Sequence, residues 1–335
     1  MNLETDIWLS AHLFYAGDWE QFLLRGVKPF IEKMVSQHLA KQYFFIRYWE
    51  CGPHIRLRIK GNEENLLHFV KPEVDTFFCQ YFALHPSCRE EPAWVKELPV
   101  HQRWYPNNSV QFLIYEPEVE RYGGIIGAEI AEKFFQASSR VTLAIYQDYG
   151  DWSYNLALGT AVKLHLAFAV ALKMDLLEAA SFFTFISNRW LPAAYANLSH
   201  FSIDEAVKHR KRILKTFGKS FDQQRKNLIP YFQTIWHALC AGGQFEQEWL
   251  NQWVLDLLDI DRELNAAQNH HQLIIPDWFQ PDLTLQIPSS RQALWSILES
   301  YIHMTNNRLG VFNHDEAYLG YLMKSSLDCL LTSQR

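Results

Sequence analysis

The segment His54-Ile55-Arg56-Leu57-Arg58-Ile59-Lys60 alternates charged or polar and aliphatic side chains without a break, the period-two pattern of a β-strand that buries one face only. Ahead of it runs Tyr43-Phe44-Phe45-Ile46-Arg47-Tyr48-Trp49, rich in aromatic residues that favour strands, and Glu50-Cys51-Gly52-Pro53 supplies a Gly-Pro turn between the two. The pair reads as a β-hairpin. Its second strand sets Ile55, Leu57 and Ile59 on one face and His54, Arg56, Arg58 and Lys60 on the other.

The flanking sequence extends this hairpin into a sheet. Ile7 to Tyr15 is apolar and aromatic and ends at Ala16-Gly17-Asp18, where Asp18 can cap a helix running through Met34 and beyond. Asn62 opens a second helix to about Phe82, and Val110 to Tyr115 is a further strand after a proline-rich loop. The order β-α-β-β-α-β is that of a split βαβ, ferredoxin-like unit. From Gly123 onward apolar residues recur at three- and four-residue spacing over 125–147, 154–173 and 176–188, with further helices near 203–217, 221–241, 244–266, 289–306 and 314–332. Gly242-Gly243 and the stretch 277–288 are the clearest breaks. Asn313 with Glu316 three residues on makes a capping-box-like start to the last helix. No internal repeat is evident. The expected fold class is α+β: an N-terminal ferredoxin-like mixed sheet packed against a larger, mostly helical C-terminal half. The expected division is a sheet subdomain over 1–122 and a helical subdomain over 123–335, forming one functional unit with a site at their junction.

Composition narrows the partners. A formal net charge of −6 provides no global positive field to hold a phosphate backbone, so direct nucleic-acid binding is disfavoured. The densest basic run, Lys208-His209-Arg210-Lys211-Arg212 with Lys215, reads as a solvated helix face, with a docking patch as the alternative. Five scattered cysteines without a CxxC indicate neither a disulfide framework nor a zinc knuckle. Fourteen histidines show no HExxH or comparable ligand spacing, so no metal is expected. The first residues carry acids where a signal peptide needs bases, and no apolar run reaches the roughly 18 residues of a membrane span. These features together read as a cytoplasmic chain.

Three segments carry groups suited to chemistry. Arg56 and Arg58, at i and i+2 of one strand, lie about 7 Å apart on one face, a spacing suited to gripping an anion; a solvated strand face has the same pattern. Tyr115-Glu116-Pro117-Glu118-Val119-Glu120-Arg121-Tyr122-Gly123-Gly124 crowds acids around Arg121 at a strand end, and its paired glycines allow close backbone approach. In Tyr301-Ile302-His303-Met304-Thr305-Asn306-Asn307-Arg308-Leu309-Gly310, a helix end stopped by glycine, His303 and Asn307 share a face at i and i+4.

Phe44-Phe45-Ile46-Arg47-Tyr48 with Gly52-Pro53-His54-Ile55-Arg56-Leu57-Arg58, the Tyr115–Gly124 segment, and His303 with Asn306-Asn307-Arg308-Leu309-Gly310 resemble, in order, the three signatures of the C-terminal domain of LanB-type lantibiotic dehydratases. The same family includes thiopeptide-type bacteriocin biosynthesis proteins. The resemblance implies a stand-alone, cofactor-independent lyase of ribosomal peptide (RiPP) biosynthesis. It would eliminate glutamate from glutamylated Ser or Thr of a precursor peptide to give dehydroalanine or dehydrobutyrine. It implies Arg56, Arg58, Arg121 and His303 as catalytic residues, with His54, Tyr122 and Asn307 binding substrate. A separate glutamyl-tRNA-dependent dehydratase subunit would supply the peptide, and the chain could pair with a second copy as a homodimer. The chemistry suits these residue types: guanidinium groups stabilise charge on the enolate and the leaving carboxylate, and an imidazole removes the α-proton near neutral pH. Two other readings stay open. One is a pyridine synthase that joins two dehydroalanines in a formal [4+2] cycloaddition; the other is a non-catalytic subunit that binds a leader peptide.

Overall fold

The computed structural model describes residues 6–198 and 203–333; the amino-terminal residues 1–5, part of the acidic start noted above, lie outside them. Four strands, β1 (Asp6–Phe14), β2 (Gln42–Tyr48), β3 (His54–Asn62) and β4 (Ser109–Phe112), form one sheet in the order β2-β3-β1-β4. Every neighbouring pair is antiparallel, so the sheet is not mixed. β1 and β2 do run in the same direction, but β3 lies between them, which is the split βαβ arrangement.

The helices between the strands start where their caps place them. Asp18 accepts the Gln21 amide at 3.0 Å at the head of α1 (Trp19–Phe22), and Asn62 accepts that of Asn65 at 3.1 Å before α3 (Glu63–Asn65). Each short helix passes through a π-turn, Leu23–Val27 or Leu66–Val70, into a longer one, α2 (Lys28–Ser36) or α4 (Lys71–Leu84). A shared pattern, Leu-Leu-x-x-Val-Lys-Pro, spans both turns at Leu23–Pro29 and Leu66–Pro72; the expectation of no internal repeat missed it. Pro29 and Pro72 have no N–H to complete the α-helical ladder, and the preceding Lys28 and Lys71 amides donate to carbonyls five residues back, at Leu23 and Leu66.

One sheet face, Leu9, Ala11 and Leu13 with Ile55, Leu57 and Ile59, is buried in a core with Phe22, Val27, Phe30, Val70, Val74 and Phe78 of these helices. The outer edge of β2 is closed by α5 (Gly124–Tyr149): the Phe45 amide donates to Ser139 Oγ at 3.1 Å, and buried Arg47 binds Glu20 at 2.8 Å and the Tyr146 hydroxyl. The chain divides into two units, Met1–Glu118 with Ala131–Trp152 and Val119–Ile130 with Ser153–Arg335. A single cut at 122/123 does not describe them. The later turns of α5 group with the sheet, to which Glu132, Ser139 and Tyr146 are tied by hydrogen bonds.

The second unit is helical: α6 (Tyr154–Ala171), α7 (Leu176–Trp190), a 3-10 turn (Leu191–Leu198), α8 (Ile203–Cys240), α9 (Glu248–Asn269), α10 (Ser289–Leu309) and α11 (Asn313–Ser333). Against expectation, α6 is long and apolar enough to cross a membrane, but most of it is buried inside the protein, which accounts for its apolar character. The helices expected at 203–217 and 221–241 are one helix, α8, which runs through Gly218 and Pro230. Its apolar face stays in phase across the glycine, with Phe217 against Tyr318 and Tyr321 of α11 and Phe221 buried. The basic run on α8 is exposed at Lys208, Arg210, Lys211, Arg212 and Lys215, as a solvated face requires. Gly310, at φ 82°, ends α10 in the left-handed conformation.

Candidate active site

In the first unit the sheet face opposite the core is polar. β1 presents Trp8, Ser10, His12 and Phe14 there, paired in register with Lys60, Arg58, Arg56 and His54 of β3. Gly52, at φ 106°, turns its carbonyl onto His54 Nδ1 at 2.7 Å, so that nitrogen donates; His54 Nε2 then accepts from Arg56 Nε at 3.3 Å. Burial, chiefly, with the two arginines lowers the His54 pKa to about 4 against the Gly52 hydrogen bond, which raises it, so the ring is neutral. The Arg56 guanidinium lies 3.3 Å over the Tyr48 ring and 3.6 Å from Glu50.

Arg58 differs from its neighbour. It is 4% exposed, faces the Tyr115 ring at 5.4 Å, and leaves buried Nε and Nη1 without hydrogen-bond partners. Burial and then Arg56 lower its pKa to about 10. His12, 3% exposed, stacks on His54 at 4.9 Å, and its pKa falls to about 2 through burial and the neighbouring Arg58, His54 and Arg56. A buried guanidinium with unused donors is a poised anion site.

The second unit holds Arg121, Tyr122, His303 and Asn307. His303 on α10 donates from Nδ1 to Glu316 Oε1 of α11 at 2.7 Å, which leaves Nε2 as the basic nitrogen. Glu316 is 1% exposed, and its other oxygen takes the Asn306 amide at 3.1 Å; Asn306 Oδ1 in turn accepts from buried His165 Nε2 at 2.9 Å. His165 is kept neutral by burial, with its pKa lowered to about 4. Trp190 stacks on the His303 ring at 4.3 Å and donates Nε1 to Glu299 at 3.3 Å. Ser300 donates to Glu299 at 3.2 Å and accepts from Arg121 Nε at 2.9 Å. Arg121 and His303 are therefore linked through Ser300, Glu299 and Trp190. Tyr122 is buried, with its ring 5.7 Å from the Arg121 guanidinium. Asn307 is half-buried, one turn beyond His303. The side chain expected to cap α11, Glu316, instead has its carboxylate committed to His303 and Asn306.

Within this unit a cavity of about 1020 Å³ is lined by Arg121, Arg189, Trp190 and Glu299 together with Ile274, Pro276 and Trp278. Apolar and aromatic walls with a few charges suit a peptide segment. Gly123 and Gly124, at φ 89° and 87°, bring the backbone to Ile297 and Ile274 so closely that a Cβ would lie 2.5 Å and 3.0 Å from them. Among the described residues no group of three or more His, Cys, Asp and Glu side chains could hold a metal ion.

The profile of the family described as "Lantibiotic biosynthesis dehydratase C-term" matches residues 8–327. The chain belongs to this family. Among curated relatives, the nisin biosynthesis protein NisB of Lactococcus lactis subsp. lactis is 29% identical over 143 residues, and the subtilin biosynthesis protein SpaB of Bacillus subtilis is 30% identical over 141. Each match takes in 42% of this chain but only 12% of the relative. Solved structures share the dehydratase C-terminal fold. The pyridine synthase TbtD from thiomuracin biosynthesis superposes with a TM-score of 0.73 at 18% identity, covering 97% of this chain and 99% of that one. The tRNA-dependent lantibiotic dehydratase MibB from Microbispora sp. 107891 gives 0.59 at 19% identity, with all of this chain on 29% of MibB.

Sequence reasoning missed Ser10, His12, Trp190 and Glu299, and it singled out Asn306 and Glu316 without reading their bonds at this site. Ser10 and His12 carried a signal: they alternate with apolar side chains in the middle of a strand whose other residues from Ile7 to Phe14 are apolar. Glu316 carried none, because its partner His303 lies across a helix–helix turn where spacing does not fix geometry.

Proposed function

We propose that the chain eliminates glutamate from glutamylated Ser or Thr of a ribosomal precursor peptide, leaving dehydroalanine or dehydrobutyrine. Arg58 carries this reading: a buried guanidinium with two unused donors suits an anionic substrate group. Arg58 holds the glutamyl carboxylate, with Arg56, fixed by His54, beside it. His303 Nε2, held by Glu316, takes the Cα proton, and the Trp190 face stabilises the imidazolium that forms. The Cα–H electrons form the Cα=Cβ bond as the Cβ–O bond breaks, and glutamate leaves as its carboxylate. Arg121 stabilises the enolate or the leaving group. Tyr122 and Asn307 contact the peptide. A separate glutamyl-tRNA-dependent subunit supplies the peptide, and the five free cysteines suit a reducing cytoplasm.

A second reading, pyridine synthesis from two dehydroalanines, is favoured by the end-to-end match to TbtD. One experiment separates them. The protein is given a glutamylated precursor peptide and, separately, a peptide with two dehydroalanines, and products are followed by mass spectrometry with Arg58→Ala and His303→Ala alongside. Loss of glutamate with wild type and with neither variant supports elimination; pyridine formation, or equal elimination by all three proteins, overturns it.

A further inference from the structure

Besides the two Arg58 nitrogens, Ser10 Oγ and His12 Nε2 on the same sheet face are buried without hydrogen-bond partners. Ser10 is the cross-strand partner of Arg58, and His12 is that of Arg56. Polar atoms buried without partners lose their hydration and gain nothing in return, so such a cluster suits a polar ligand that supplies the missing acceptors. We propose that Ser10, His12 and Arg58 form a socket for a single carboxylate group.

Charge and donor count both favour a carboxylate. Arg56 already faces Glu50 and Tyr48, which leaves Arg58 as the cation of the cluster without a counter-charge, enough for one negative charge rather than two. Arg58 Nε–H and Nη1–H, the Ser10 hydroxyl and the Nε2–H tautomer of neutral His12 offer four donors, matching the roughly four lone-pair sites of a carboxylate. His12 stays neutral because burial and the neighbouring Arg58, His54 and Arg56 oppose a second cation, so it contributes a directional donor rather than charge. His12 is then a specificity-determining residue, selecting a planar carboxylate over a more highly charged anion. That the carboxylate belongs to the glutamyl group rests on the elimination reading; the socket itself does not.

The test uses the full chain with L-glutamate as probe and inorganic phosphate as competitor, followed by calorimetry and by ring-nitrogen NMR of the histidines. L-glutamate is expected to shift the His12 Nε2 signal. His12→Phe should weaken glutamate binding about tenfold, the value of a hydrogen bond to a charged group, whereas His12→Gln, which keeps an N–H donor, should bind near wild type. Ser10→Ala should weaken it by less, and Arg58→Lys more than either. An unmoved His12 signal, wild-type affinity in both His12→Phe and Ser10→Ala, or preferential capture of phosphate through these residues overturns the socket. Elimination is assayed in parallel on the glutamylated peptide. Elimination without glutamate binding at His12 sinks the socket and spares the reaction; glutamate binding without elimination does the reverse.

Discussion

Imidazole chemistry is set by what holds the ring, and His303 is held on two sides. Glu316 fixes Nδ1–H at 2.7 Å and Trp190 fixes the plane at 4.3 Å, so Nε2 is presented in one tautomer. Under the elimination reading, His303→Ala should lower kcat on the order of 10²–10⁴, the usual worth of a general base. Glu316→Gln keeps the size but lets the amide impose the wrong tautomer, so kcat should fall on the order of 10² with KM little changed. Steady-state kinetics on a glutamylated peptide checks both; a change in KM alone would place Glu316 in peptide binding. The two basic groups identified in β3 were readable because strand alternation puts Arg56 and Arg58 on one face whatever else the chain does. That Arg58 is buried without a counter-charge while Arg56 sits on a tyrosine was not readable, since it depends on residues from other elements.

Elements were legible in proportion to how local their causes are. Asp18 and Asn62 start helices through their own side chains, and Gly310 stops one by adopting positive φ, so their positions follow from short sequence. The π-turns at Leu23–Val27 and Leu66–Val70 went unread, although the repeated Leu-Leu-x-x-Val-Lys-Pro and the donor missing at each proline are local. Helix–helix approach was not legible. Gly320 of α11 lies so close to α7 that an added Cβ would stand 2.9 Å from the Ser187 backbone nitrogen, while the Ser187 hydroxyl donates to the Ala317 carbonyl at 2.9 Å. Backbone cannot move aside as a flexible side chain can, so Gly320→Ala should destabilise the protein by about 1–3 kcal/mol despite its better helix propensity. Urea unfolding checks this; an unchanged or raised midpoint would mean that α7 and α11 separate at little cost.

At the scale of the whole molecule, buried neutral histidines couple stability to pH. His54 and His165 have pKa values of about 4 in the folded protein and His12 about 2, against an ordinary value of 6.5. Between 6.5 and the lowered values the unfolded chain takes up protons that the folded chain does not. Stability is therefore fully present above pH 6.5 and is lost as pH falls toward 4, by about 3 kcal/mol for fully buried His165 alone. The midpoint of urea unfolding should fall over that interval, and His165→Gln should flatten the dependence; a flat profile in the wild type would show that these rings are protonated in the folded state. By itself the sequence determined the α+β order, the split βαβ unit and the arginine-bearing strand, because caps, prolines and period-two alternation act over a few residues. Tertiary structure alone decided that α8 is unbroken, that the later turns of α5 belong with the sheet, and that His303 takes its partner from α11 and Arg58 takes none. Each of those outcomes is a contact between residues distant in sequence, whose energy depends on burial and geometry rather than on neighbours along the chain.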